Sequence, residues 1–195
     1  MRVVQGVETD YDTDLFAPIV KEIHSHLIVG LKELQTKERS TIWTIADHLR
    51  AIAFLLSEKI VPSNEGRGYV LRMLIRRTHW HGGRLFWNRE TDEQRTHREP
   101  FLSEMVTSVI KTYRGVYEDL GERRRFIVEA LEAEEKRFAE TLDLGNKQII
   151  AEFRRLAERG EKIVSGDFAF KMKDTYGYPV ELLADIAKRE GFSIE

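Results

Sequence analysis

The stretch PSNEGRGYVLRMLIRR, residues 62–77, decides how the rest of the chain is read. Pro62, Ser63, Asn64, Glu65 and Gly66 are turn formers, and beyond them the apolar residues fall at helical spacing. At about 100° per residue, Val70, Leu71, Leu74, Ile75 and Thr78 share one side, the predicted core stripe. Tyr69, Arg72, Met73, Arg76 and Trp80 share the opposite side, which is predicted to face outward. Guanidinium forks match phosphate oxygens, and flat rings lie against sugars or exposed bases, so such a face suits nucleic acid. The competing reading packs it on another domain, with the arginines paired to that domain's acids.

The surrounding charge fits a polyanion. Lys59, Arg67, Arg72, Arg76, Arg77, Arg84 and Arg89 face a single anion, Glu65, between residues 59 and 89. That segment therefore carries +6, leaving −8 for the remainder of a chain whose formal net charge is −2. A solvated basic helix that salt-bridges to acidic neighbours would give the same pattern. The 195 residues are 42% hydrophobic, enough for a sizeable core and unlike a disordered composition. No cysteine is present, which excludes a disulfide framework and a thiolate metal site. With no apolar run of membrane-spanning length and no leader pattern, the expected location is cytoplasmic, without a membrane partner.

Outward from residue 62, a helix is predicted from about Ser40 to Glu58, with Ile45, Leu49, Ile52, Ala53 and Leu56 on its core face. Before it, Asp12, Thr13 and Asp14 can cap a helix running to about Leu34, with Pro18 in its first turn. Residues 1–11 hold a short β-like apolar run. The arginine helix extends to about Gly82, and WNRETDEQRTHRE, residues 87–99, reads as a charged linker. Pro100 opens a helix from Phe101 to Leu120. After Gly121, a further helix is predicted to place Phe126, Ala130, Ala133 and Phe138 on a core, while its EAEEK run faces solvent. A shorter helix, Asn146 to Arg159, ends at Gly160. The tail reads as two short helices broken at Tyr176-Gly177-Tyr178-Pro179. The fold class is all-α, an irregular multi-helix bundle. The expected divisions are 1–11 as an edge or linker, 12–165 as the helical body, and 166–195 as its C-terminal helical segment.

No catalytic or metal constellation emerges. Asp10, Asp12 and Asp14 resemble the start of a calcium loop, but Leu15 and Lys21 stand where that loop needs glycine and glutamate. Gly66-Arg67-Gly68 follows no strand and lacks the third glycine of a dinucleotide fingerprint. His24/His26 and His79/His81 sit two apart, which splays side chains on a helix.

Three segments carry a resemblance to a known family. IADHLRAIAFLLSEKIVPSNEGRGYVLRMLIRR (45–77) resembles the segment after the catalytic domain of alanyl-tRNA synthetases, FAFKMKDTYGYPVELLADIAKREGF (168–192) resembles that family's DTYGFP region, and VVQGVETDYDTDLFAPIV (3–20) resembles the stretch after its third catalytic motif. The order is collinear over nearly the whole chain. Met73 stands where the family commonly has arginine, Trp80-His81-Gly82 where it has RHG, Lys173 where it has tyrosine, and Leu183 where it has threonine.

The resemblance implies a middle, tRNA-recognition portion lying between catalytic and editing domains. It implies a role in an ATP- and Mg²⁺-dependent ligase, although this portion holds no cofactor and is expected to be non-catalytic alone. Its partners would be the tRNA(Ala) acceptor stem and those two domains. The residues that read the G·U wobble pair would be Asn64 and Asp174. An ionised carboxylate is acceptor-only and suits the unpaired guanine amino group, while an asparagine amide can meet a carbonyl such as uracil O4. Arg67, Arg72, Arg76 and Arg77 are the candidate backbone contacts. The alternatives are a structural helical connector between catalytic and editing domains, or a shape-reading helical RNA-binding module.

Overall fold

The structure, a computed structural model, describes residues 1–27, 36–86 and 100–195. The continuation of the first long helix towards Leu34 and the charged linker 87–99 lie outside the described residues. The class is all-α. The chain forms two compact units, Met1–Lys136 and Arg137–Glu195.

The first unit opens with α1 (Arg2–Gln5), a short helix where an extended run was expected, and a 3-10 turn at Asp10–Asp12. Asp12 of that turn is spent locally, since its Oδ2 accepts from both the N–H and the hydroxyl of Thr9. Then follow α2 (Ala17–Ser25), α3 (Thr36–Ser57), α4 (Gly66–Phe86), α5 (Leu102–Tyr113) and α6 (Glu118–Glu122). Helix α3 packs against α2, α4, α5 and α6, which makes it the central element. Ile45, Leu49, Ile52 and Leu56 are fully buried along it, as their spacing predicts. The helix predicted from 101 to 120 is interrupted by a turn at residues 114–117.

Residues of the IADHLRA segment tie this unit together. Asp47 accepts from the Tyr11 hydroxyl at 2.6 Å, and burial together with that carboxylate pushes the phenol up to about 12. The Thr78 hydroxyl donates to the Leu74 carbonyl at 2.6 Å, so it accepts from His48 Nδ1 at 3.1 Å and joins α3 to α4. The Arg50 guanidinium lies 5.4 Å from the Phe16 and Tyr113 ring centroids and 6.0 Å from that of Phe54.

Helix α7 (Arg124–Glu158) runs unbroken over 35 residues where two helices were predicted. Gly145 does not end it. A Cβ at that position would overlap the buried Tyr178 ring, so the glycine serves close packing. The division between the units falls inside this helix, between 136 and 137, whereas the sequence divisions were drawn at 11/12 and 165/166. Its core face is Ile127, Leu131, Glu134 and Glu135 within the first unit, about one position round from the predicted Phe126, Ala130 and Ala133, while Phe138 is buried as predicted. Phe126 is exposed, and so is Ala133.

In the second unit, β1 (Ile163–Val164) pairs in parallel with β2 (Ser193–Ile194), and α8 (Gly166–Asp174) packs on α9 (Val180–Arg189). Leu142, Ile149, Leu156, Val164, Met172, Tyr178 and Leu183 are buried. The Tyr178 hydroxyl donates to Asn146 Oδ1 at 2.9 Å, and burial holds its pKa well above the ordinary phenol value.

Candidate nucleic-acid interface

The loop before α4 folds back over the first turn of that helix. Ser63 N–H donates to the Gly68 carbonyl at 3.1 Å, and the Ser63 hydroxyl donates to the Glu65 carbonyl at 2.9 Å. Gly66 takes φ 58°, and a Cβ on Gly68 would overlap Ser63 and the Val61 carbonyl. The GRG sequence is thus what lets the loop lie against the helix. The result leaves Asn64 exposed at the tip.

Arg72, two turns into α4, reaches back to that loop. Its Nη1 donates to Asn64 Oδ1, and its Nη2 donates to the Pro62 carbonyl at 3.4 Å. Arg72 Nε lies 3.1 Å from Glu134 Oε1, within ion-pair range but not aligned for a hydrogen bond. The same carboxylate oxygen accepts from Arg76 Nε at 2.8 Å. Burial lowers the Arg76 pKa and Glu134 opposes it; the group stays charged because guanidinium starts so high.

These contacts correct the predicted outward face. Arg76 and Trp80 are buried, at 7% and 6% exposure, and Arg72 is half-buried. Val70, assigned to the core stripe, is 55% exposed. The reason lies on α7, whose EAEEK run was expected to be solvated. Glu134 and Glu135 are instead fully buried and draw polar groups of α4 inward. Glu135 Oε1 accepts from His79 Nδ1 at 2.9 Å and from the N–H groups of Phe101 and Leu102 at 3.1 and 3.2 Å. It thereby caps α5 and ties that helix to α4.

Sequence reasoning missed these two glutamates. The available signal was their spacing from Leu131, three and four residues earlier on the same helical face.

Arg67 and Arg77 are exposed and form no ion pair among the described residues, and Lys59 is exposed beside the same loop. Of the four candidate backbone arginines, Arg67 and Arg77 lie open while Arg72 and Arg76 converge on Glu134.

Asp174 belongs to the second unit, at the C-terminal end of α8. Thr175 N–H closes onto the Lys171 carbonyl, Gly177 N–H onto Lys173, and Tyr178 N–H onto Met172, which tightens the chain around the aspartate. The Asp174 side chain is exposed and caps nothing; the N-cap position of α9 is Pro179. A carboxylate at a helix C-terminus sits at the negative end of the helix dipole, so fold stability does not account for it. Among the described residues no group of three or more His, Cys, Asp or Glu could hold a metal ion, and no helix is long and apolar enough to cross a membrane.

The first unit thus presents an exposed Asn64 amide on a loop braced by Arg72, with Arg67 exposed in the next turn and Arg77 exposed farther along α4. By comparison with known proteins, the chain belongs to the class II (A) tRNA synthetases, whose family model matches residues 1–195. The alanine–tRNA ligase of Thermotoga maritima is 44% identical over 193 residues, covering 99% of this chain and 20% of that protein. The alanine–tRNA ligases of Xanthomonas axonopodis pv. citri and Streptococcus pneumoniae are 40% and 37% identical over the same length, covering 99% of this chain and 20% and 21% of theirs. The chain thus spans about a fifth of the length of the curated relatives it matches.

Proposed function

We propose that this chain is the tRNA-recognition portion of an alanine–tRNA ligase, and that it binds the acceptor stem and reads the G·U wobble pair through Asn64 and Asp174. The observation that carries the reading is the exposure of both side chains, each inside one of the two motifs that resemble the family, with no fold-stabilising duty for Asp174. Asp174 offers an acceptor to the guanine amino group that the wobble geometry leaves unpaired. Asn64 offers its amide to the uracil. Arg67 and Arg77 supply phosphate contacts, while Arg72, which shares Glu134 with Arg76, braces the loop. The whole ligase would act in the cytoplasm and use ATP and Mg²⁺ to attach alanine, with this portion supplying substrate selection and other domains the covalent chemistry.

A second reading, a helical connector between catalytic and editing domains, gains from the burial of Arg72 and Arg76, which takes two guanidiniums out of the phosphate-facing set.

The experiment is direct binding of the chain to acceptor-stem hairpins that differ only in G·U or G·C at the wobble position. The G·U hairpin is expected to bind more tightly, and both affinities should fall steeply between about 50 and 200 mM salt as counterions are released. Equal, salt-insensitive binding would favour the connector.

A further inference from the structure

We infer that Arg72, seated on the buried Glu134, is the positioning residue that fixes which end of the Asn64 amide faces solvent. The argument is one of donor counting. Arginine has only donors, so the atom of Asn64 that meets Arg72 Nη1 has to be the oxygen, Oδ1. The Nδ2 group then points away from Arg72 and presents its two N–H bonds to whatever lies over the loop. Asn64 is therefore a preset donor rather than a two-way amide, and its ligand atom is an acceptor.

The setting is rigid because each step is tied to the next. Glu134 is 1% exposed and cannot leave without stranding a charge, and it lies 3.1 Å from Arg72 Nε and 2.8 Å from Arg76 Nε. Arg72 also holds the Pro62 carbonyl, which keeps the loop itself in register with the guanidinium. Lysine could not replace it, because one ammonium cannot span Glu134, Pro62 and Asn64 with a planar fork.

The consequence for recognition rests on the reading proposed above. Uracil carries a carbonyl acceptor at O4, where cytosine carries an amino donor at N4. An amide held donor-outward accepts uracil and opposes cytosine; an amide free to flip accepts either. Arg72 would thus govern discrimination without touching a base.

Two measurements test this. In the RNA-free chain, the ¹⁵N side-chain order parameter of Asn64 is expected to resemble a rigid group in the wild type, and to fall below about 0.6 in Arg72→Met. Equal mobility in both would overturn the inference whatever the RNA result.

With the hairpins, Arg72→Met is expected to cut the G·U over G·C preference by about tenfold, the low end of a good base contact, chiefly by relieving the penalty on G·C. Asn64→Asp keeps an oxygen on Arg72 and turns the outward donor into an acceptor, so it should lose the preference at least as far as Arg72→Met. If Arg72→Met instead weakens both hairpins alike, Arg72 is a phosphate or stability residue and the inference is wrong. A rigid, Arg72-dependent Asn64 in a wild type that shows no G·U preference would uphold the positioning role and sink the proposed function instead.

Discussion

Arg76 Nε donates to Glu134 Oε1 at 2.8 Å, with 8% of the arginine side chain and 1% of the glutamate side chain exposed. A pair this dry is weak as a net source of stability but costly to break from one side, because the survivor is left charged and desolvated. Glu134→Ala strands Arg76 and loosens Arg72 together. The expected loss is about 3–5 kcal/mol, read by urea denaturation followed by circular dichroism. Replacing both partners with apolar residues, Glu134→Leu with Arg76→Met, should cost less than Glu134→Ala alone. A loss below about 1 kcal/mol for Glu134→Ala would mean that the pair behaves as an exposed one.

Gly145 gives a case where propensity and packing pull in opposite directions. Alanine is favoured over glycine inside a helix by about 1 kcal/mol. At this position the added methyl overlaps the ring of Tyr178, which is fully buried and held by Asn146. Overpacking of that kind costs about 1–3 kcal/mol, so the overlap outweighs the propensity gain. Gly145→Ala should lower the melting temperature; a rise would show that Tyr178 can swing aside at no cost.

Local patterns were legible where one helix face alone set burial. Leu49, Ile52 and Leu56 on α3 needed only their spacing, and the Tyr176 to Pro179 break needed only its turn residues. What could not be read were interactions set by a distant partner. The acids at 134 and 135 look solvated until α4 brings two arginines and a histidine to them, and Gly145 looks like a terminator until Tyr178 fills the space beside it. The same long-range pairing turned Arg72 and Arg76 inward. Asn64 and Asp174 were singled out by motif resemblance, not by periodicity, and both side chains are exposed.

The pH dependence of stability should carry the signature of His48. Burial lowers its pKa below the usual histidine value, Arg77 adds to the effect, and Asp47 opposes it. The folded state therefore binds this proton less readily than the unfolded chain. Its contribution is fully present above the unfolded pKa of about 6.5 and is lost as pH falls below it. His24 is lowered as well, by burial and then Arg39, and acts with the same sign. Denaturation midpoints should drop between about pH 7 and 5, and His48→Gln should flatten part of that slope. A midpoint that rises on acidification would contradict the assignment of His48 as a neutral donor to Thr78.

Asp174 and the open arginines should separate into two kinds of loss. Asp174 sits at the negative end of α8, exposed and without a hydrogen bond among the described residues, so Asp174→Asn relieves a dipole clash of about 0.3–1 kcal/mol. The variant is expected to fold at least as stably as the wild type. It should nonetheless narrow the preference for G·U over G·C hairpins by about 1–3 kcal/mol, because a neutral amide oxygen accepts from the guanine amino group less strongly than a carboxylate, and the amide can turn its N–H groups toward a base pair that offers no free donor. Arg67→Ala and Arg77→Ala should weaken both hairpins alike and make the salt dependence shallower by about one ion each, since a phosphate contact carries no sequence information. Paired titrations at several salt concentrations, with thermal melts of every variant, resolve the two patterns. If Asp174→Asn destabilises the second unit and leaves the preference intact, the aspartate is structural, and the exposed carboxylate at the end of α8 needs another explanation than base recognition.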